Sequence, residues 1–122
     1  MVDSGASAAP GALHIEVRAT TDAVHVILRG ELDMSTAPQL RAALDQALER
    51  DPAELVLDLS RLRFMGSSGI AEACRLESRA RERGVRAALA PGGGRVRRVF
   101  EVAGLTDLLP FVSPLVDATP PG

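Results

Sequence analysis

Residues 13–18, LHIEVR, alternate apolar and polar side chains, the period-two pattern of a strand that buries one face. Thr21-Asp22 then predicts a turn, and residues 24–29, VHVILR, a second strand ended by Gly30. The gap is short enough to make this an antiparallel hairpin. Past it the period changes. Thr36 is placed to cap a helix, Pro38 sits in its first turn, and Gln39 is placed to complete a capping box. Leu40, Ala43, Leu44, Ala47 and Leu48 form one apolar stripe along that helix, and Asp51-Pro52 stops it. Residues 55–59, LVLDL, are almost continuously apolar, as in a strand covered on both faces. A second helix follows Gly66-Ser67-Ser68-Gly69, with Ile70, Ala73, Cys74 and Ala80 at approximate helical spacing and Gly84 as its C′ residue. Residues 85–90, VRAALA, predict another strand, closed by Pro91-Gly92-Gly93-Gly94. A short helix carrying Val96, Val99 and Phe100 ends near Gly104, and residues 105–112 finish with a turn and an edge strand.

The predicted order is β-β-α-β-α-β-α. Alternating strands and helices imply an α/β domain: a mixed, mostly parallel sheet of four to five strands packed with three to four helices. The domain spans residues 12–113, between a small, polar leader (residues 1–11) and a Pro-rich tail (residues 114–122), both expected to be disordered. Open α/β sheets place their sites beyond the carboxyl ends of strands. The loops at residues 30–35 and 66–69 both lie there, and are expected to share one rim.

Composition narrows the function. A chain of 122 residues favours one domain, and three Phe with no Tyr or Trp leave the core to aliphatic side chains. A net charge of −2 carries no nucleic-acid footprint. All 14 basic residues are arginine, which excludes Schiff-base and P-loop lysines. A lone cysteine, Cys74, makes no internal disulfide and is expected as a small core residue. No secretory signal or membrane-length apolar run is present, so the expected location is the cytoplasm.

The Gly66–Gly69 stretch fails as a nucleophile elbow: Ile70 stands where that motif needs glycine, and His14 and His25 lie upstream in predicted strands. It also fails as a P-loop, and one cysteine with two strand histidines makes no metal set. No cofactor and no catalytic residue is expected. One serine suffices to cap a helix, so Ser67 and Ser68 together leave a hydroxyl over. Gly66 is read as a backbone position needing positive φ or close packing.

Three segments are similar, in order and spacing, to the STAS family of bacterial anti-sigma factor antagonists: Gly30-Glu31-Leu32-Asp33, Phe64-Met65-Gly66-Ser67-Ser68-Gly69, and residues 99–105, VFEVAGL. The resemblance spans nearly all of residues 13–113. It implies that Ser67, matching the first serine of an Asp-Ser-Ser/Thr-Gly motif, is phosphorylated by an anti-sigma factor that is also a serine kinase. It also implies that the unphosphorylated chain binds this partner and frees a sigma factor, and that a phosphatase resets it, with no membrane or direct nucleic-acid role. Asp33, Met34, Ser35, Gly66, Ser67, Ser68, Gly69 and Ile70 are the implied docking residues, Met34 being the stronger apolar contact and Met65 a core residue. Gly66 replaces the family's Asp, which removes a carboxylate beside the acceptor serine. Two other readings stand beside this one: a constitutive binding or scaffold domain without phosphoregulation, and a nucleotide-sensing domain.

Overall fold

The predicted hairpin forms from β1 (Leu13–Ala19) and β2 (Ala23–Leu32), paired antiparallel from Leu13↔Gly30 to Ala19↔Val24. The Thr20 hydroxyl oxygen accepts the Ala23 N–H at 3.1 Å and closes the turn. The computed structural model describes residues 11–115, so the expected leader and tail lie almost wholly outside the described residues. β3 (Glu54–Met65) runs parallel to β2, and β4 (Arg86–Ala90) runs parallel to β3, giving the sheet order β1-β2-β3-β4.

α1 (Ala37–Glu49) crosses from β2 to β3, α2 (Ser67–Arg83) from β3 to β4, and α3 (Arg95–Val102) follows β4. Residues 105–112 add no further strand among the described residues, only an isolated parallel bridge between Leu89 and Phe111.

Among the described residues, α1, α2 and α3 cover one face of the sheet. Val24, Val26 and Leu28 of β2 and Leu55, Leu57 and Leu59 of β3 meet Leu40 and Leu44 of α1, Leu76 of α2 and Phe100 of α3. On the other face Val56, Ala88 and Ala90 form a smaller cluster under Val112. The run at residues 55–59 is buried throughout, Asp58 included; its Oδ1 accepts the Ser60 N–H at 2.9 Å and the Ser60 hydroxyl at 2.6 Å.

Several local expectations are corrected. Gly30 does not end β2: it adopts φ +97° where the β2/β3 register shifts, and the strand continues to Leu32. That extension pairs with residues past Leu59 and lengthens β3 to Met65. Thr36 makes no capping hydrogen bond to α1; its near-helical backbone turns the hydroxyl back, where it accepts the Asp33 N–H and donates to the Glu31 carbonyl, each at 3.0 Å. Gln39 completes no capping box, since its side chain donates to the Leu13 carbonyl instead.

In α2 the buried stripe is Gly69, Glu72, Ala73, Leu76 and Ala80, and Cys74 is only half-buried. Glu72 is 2 % exposed because Arg41 of α1 reaches its Oε2 at 2.7 Å. This pair and Arg75–Asp45 tie α1 to α2. Gly84 does end α2 as predicted: at φ +70° it lets the Val85 N–H reach the Ala80 carbonyl at 2.9 Å, a Schellman closure.

Candidate functional site

The parallel strands β2 and β3 finish together. Leu32 pairs with Met65, and the Gly66 N–H donates to the Leu32 carbonyl at 2.9 Å. The 33–36 loop and the start of α2 therefore leave the sheet side by side, on the shared rim that the strand pattern predicts.

Asp33 builds the first loop. Its Oδ1 accepts the Ser35 N–H at 2.9 Å, the Ser35 hydroxyl at 2.7 Å and the Thr36 N–H at 3.1 Å. The turn this closes lifts Met34 to 83 % exposure. Asp33 and Ser35 thus shape the loop, and Met34 is its apolar tip. The Ser35 hydroxyl is the main cause holding the Asp33 carboxyl below its ordinary value; desolvation, next in size, opposes it, and the Thr36 and Ser35 N–H groups and the Thr36 hydroxyl reinforce it. A carboxyl depressed in the folded state adds stability above its unfolded value of 3.8 and loses it as pH falls through the folded value. Wild type should therefore lose thermal stability more steeply than Asp33→Asn as pH falls from about 5 to about 2. Thermal melts across that range check this; equal slopes would contradict it.

The second loop starts α2. Gly66 occupies the cap position, so neither serine caps, and Ser67, the first helical residue, is exposed. Ser68 and Ile70 are half-buried and Gly69 is buried. Gly69 is held to glycine by close packing: a Cβ there would stand 2.4 Å from Met65 Cγ. Gly66, expected to be such a position, is not. Its φ of −91° is ordinary, and a Cβ would meet the Phe64 ring at 3.5 Å, a normal contact. Gly66→Asp should accordingly fold with its stability changed by less than about 0.5 kcal/mol, as caps of these two types differ little. A thermal melt checks it; a loss above about 1 kcal/mol would contradict the open geometry.

Beside Ser67 lies an apolar hollow of about 500 Å³ whose walls include Met65, Gly66, Ser67 and Ile70 on one side and Val99, Val102 and Ala103 of α3 on the other. Arg95 and Arg98 stand on the α3 side. A second hollow of about 280 Å³ adjoins it, with Arg63 and Phe64, and shares Met65, Arg95 and Val99. Phe64 is 50 % exposed and Val102 78 %, and because they border adjoining hollows they belong to one exposed apolar patch, the kind of surface that marks an interaction site.

The sequence reading missed Phe64, Arg95, Arg98 and Val102. A signal was there: α3 carries one apolar pair, Val96 and Phe100, for the core, and a second, Val99 and Val102, at i, i+3, of which Val99 only half reaches the core and Val102 does not. Met65 is buried, as expected.

Among the described residues no group of three His, Cys, Asp or Glu side chains is placed to hold a metal ion, and no helix is long and apolar enough to cross a membrane.

Comparison with known proteins agrees with this architecture. A family model described as Mlab, STAS domain, matches residues 15–111. An anti-sigma F factor antagonist of Paenibacillus polymyxa is 31% identical over 107 residues, which is 87% of this chain and 92% of the relative. The crystal structure of an anti-sigma factor antagonist from Mycobacterium paratuberculosis matches with a TM-score of 0.75 at 29% identity, covering 88% of this chain and 91% of the other. The Bacillus cell fate determinant SpoIIAA in its phosphorylated form matches with a TM-score of 0.62 at 26% identity, covering 84% of this chain and 92% of the other.

Proposed function

The chain belongs to the STAS domain family, and on that premise we propose that it is an anti-sigma factor antagonist, a binding protein and not an enzyme, whose docking is switched by phosphate on Ser67. The observation that carries this reading is the position of Ser67: exposed, at the first turn of α2, on the rim of an apolar hollow. The named relatives antagonise anti-sigma factors, and one is solved in a phosphorylated form.

Helix geometry explains why charge is tolerated there. The first N–H groups of a helix lack intrahelical partners, and the macrodipole favours an anion by about 0.3–1 kcal/mol. In a docked interface the same phosphate brings about −1.5 to −2 charges that must be desolvated. The folding term is small and favourable, while the interface term reaches several kcal/mol and is unfavourable. Modification therefore changes partner choice and leaves the fold alone.

In the unmodified state, Met34, Ile70 and the hollow make the apolar contact, Asp33 and Ser35 hold the loop, and Ser67 and Ser68 contribute hydroxyls. Gly66 lets the partner approach the backbone, and Gly69 seats the helix on Met65. The partner is an anti-sigma factor acting as serine kinase in the cytoplasm: the Ser67 oxygen takes the γ-phosphoryl group of ATP, ADP leaves, and the hydroxyl proton passes to a base on the kinase. A phosphatase reverses the step.

Incubation with the anti-sigma factor of the same genome and MgATP, followed by tandem mass spectrometry, tests the assignment. Phosphate on Ser67 is the expected result, and phosphate elsewhere without Ser67 would overturn it. Gly66, in the place of the family's Asp, favours one other reading, constitutive docking without phosphoregulation. That reading requires Ser67→Ala to leave sigma-dependent transcription unchanged.

A further inference from the structure

We infer that Arg95 and Arg98 of α3 form a receptor for phosphate on Ser67 of the same chain, so that phosphorylation closes the neighbouring hollow as well as charging its rim. This rests on the reading of Ser67 as the modified residue. The three arginines of α3 are not equivalent. Arg97 lies 3.5 Å from Glu101, and its guanidinium sits 5.1 Å from the centre of the Phe111 ring. Arg95 and Arg98 instead line the hollow that Ser67 borders, both exposed, and neither forms an ion pair with a carboxylate of another described residue.

Among the described residues no carboxylate lines that hollow, although the chain as a whole carries a net charge of −2. Two uncompensated cations around an apolar cavity call for an anion. Among the described residues lining that hollow, Ser67 is the one to which phosphoryl transfer would add one.

The chemistry is matched. A phosphoserine offers three acceptor oxygens, and each guanidinium offers a planar fork of N–H donors that fits two of them. The apolar walls formed by Ile70, Val99 and Val102 strengthen the attraction relative to open water. Ser67 and the two arginines line the same hollow, so a phosphate on Ser67 and the two guanidinium groups border one shared space. Once drawn over, the two side chains cover Val99 and Val102, so a partner's apolar group loses its seat.

The test uses the full chain with phosphoserine installed at position 67 during synthesis, alone and combined with Arg95→Ala/Arg98→Ala. A phosphate clasped by arginines ionises more readily. Its second pKa, followed by phosphorus NMR, is expected about half a unit or more lower in the chain with both arginines than in the double variant. Arg97→Ala, the control, keeps the value of the arginine-containing chain. Amide signals of Val99 and Val102 are expected to move on phosphorylation only when Arg95 and Arg98 are present. Equal pKa values together with unmoved α3 amides would overturn the receptor. Both arginines are exposed, so the double variant keeps the fold, and circular dichroism verifies it. Because the phosphate is installed without a kinase, failure of this result is distinct from failure of Ser67 to be a kinase substrate.

Discussion

Ser67→Asp is expected to lower affinity for the proposed anti-sigma factor partner about a hundredfold, a loss of about 2.8 kcal/mol, while the thermal midpoint stays at or a few degrees above wild type. The two halves of this result have one origin. Ser67 is exposed at the first turn of α2, where helix geometry leaves N–H groups free and the dipole favours negative charge. Among the described residues no carboxylate lines the hollow beside it. A docked partner opposes the added carboxylate, because it must strip water from it beside the apolar surfaces of Ile70 and Val99. Ser67→Ala, which adds no charge, is expected to keep wild-type affinity. Titration calorimetry and scanning calorimetry on the three chains read both quantities. A destabilised Ser67→Asp chain, or one that binds like wild type, would contradict the separation of fold from interface.

Gly30→Ala is expected to be the most damaging single methyl group in the site region. Gly30 has φ +97°, and an added Cβ would lie 2.2 Å from the Ala12 carbonyl oxygen. That oxygen cannot swing away without losing the Glu31 N–H, which donates to it at 3.0 Å. Backbone strain and overpacking each contribute about 1–3 kcal/mol, so the expected loss is about 2–6 kcal/mol. For a domain of this size the melting temperature falls by about 10–20 °C. Gly84→Ala separates the two causes. Gly84 also has positive φ, at +70°, but a Cβ there meets nothing within 4 Å. It should lose only the strain contribution. Equal losses at the two positions would show that contact with Ala12 is not what holds position 30 to glycine. Because Gly30 stands three residues before Asp33, the distortion should also loosen the loop that presents Met34.

The architecture was legible where burial imposes one period. The stripe Leu40–Leu44–Leu48 and the apolar run at residues 55–59 became the elements they predict because each has one face or two committed to the core, whereas the alternation at residues 13–18 formed its strand with only Leu13 and Ile15 reaching the core and Val17 left exposed. Ends were less legible, since they depend on neighbours distant in sequence. β3 outlasts its apolar run because β2 continues past a glycine kink to pair with it, and Glu72 enters the core because Arg41 on another helix meets it. The adjacency of the Asp33 loop and Ser67 followed from both loops leaving carboxyl ends of strands. The α3 wall of the hollow did not, because Arg95, Arg98 and Val102 reach it only through the packing of Val96 and Phe100. Capping was misread for a chemical reason. Serine and threonine hydroxyls favour caps in general, yet here Asp33 had already taken the turn before α1, and Gly66, without a side chain, took the cap of α2.

The most direct test of the switch is a quantitative capture of the anti-sigma factor from an extract of the cells that make this protein. The bait is the full chain immobilised in three forms: unmodified, Ser67→Ala, and carrying phosphoserine at position 67. Equal recovery on the first two forms, and about a hundredfold less on the third, is what a charge-gated docking surface predicts. Equal recovery on all three would mean that Ser67 lies outside the surface the partner covers.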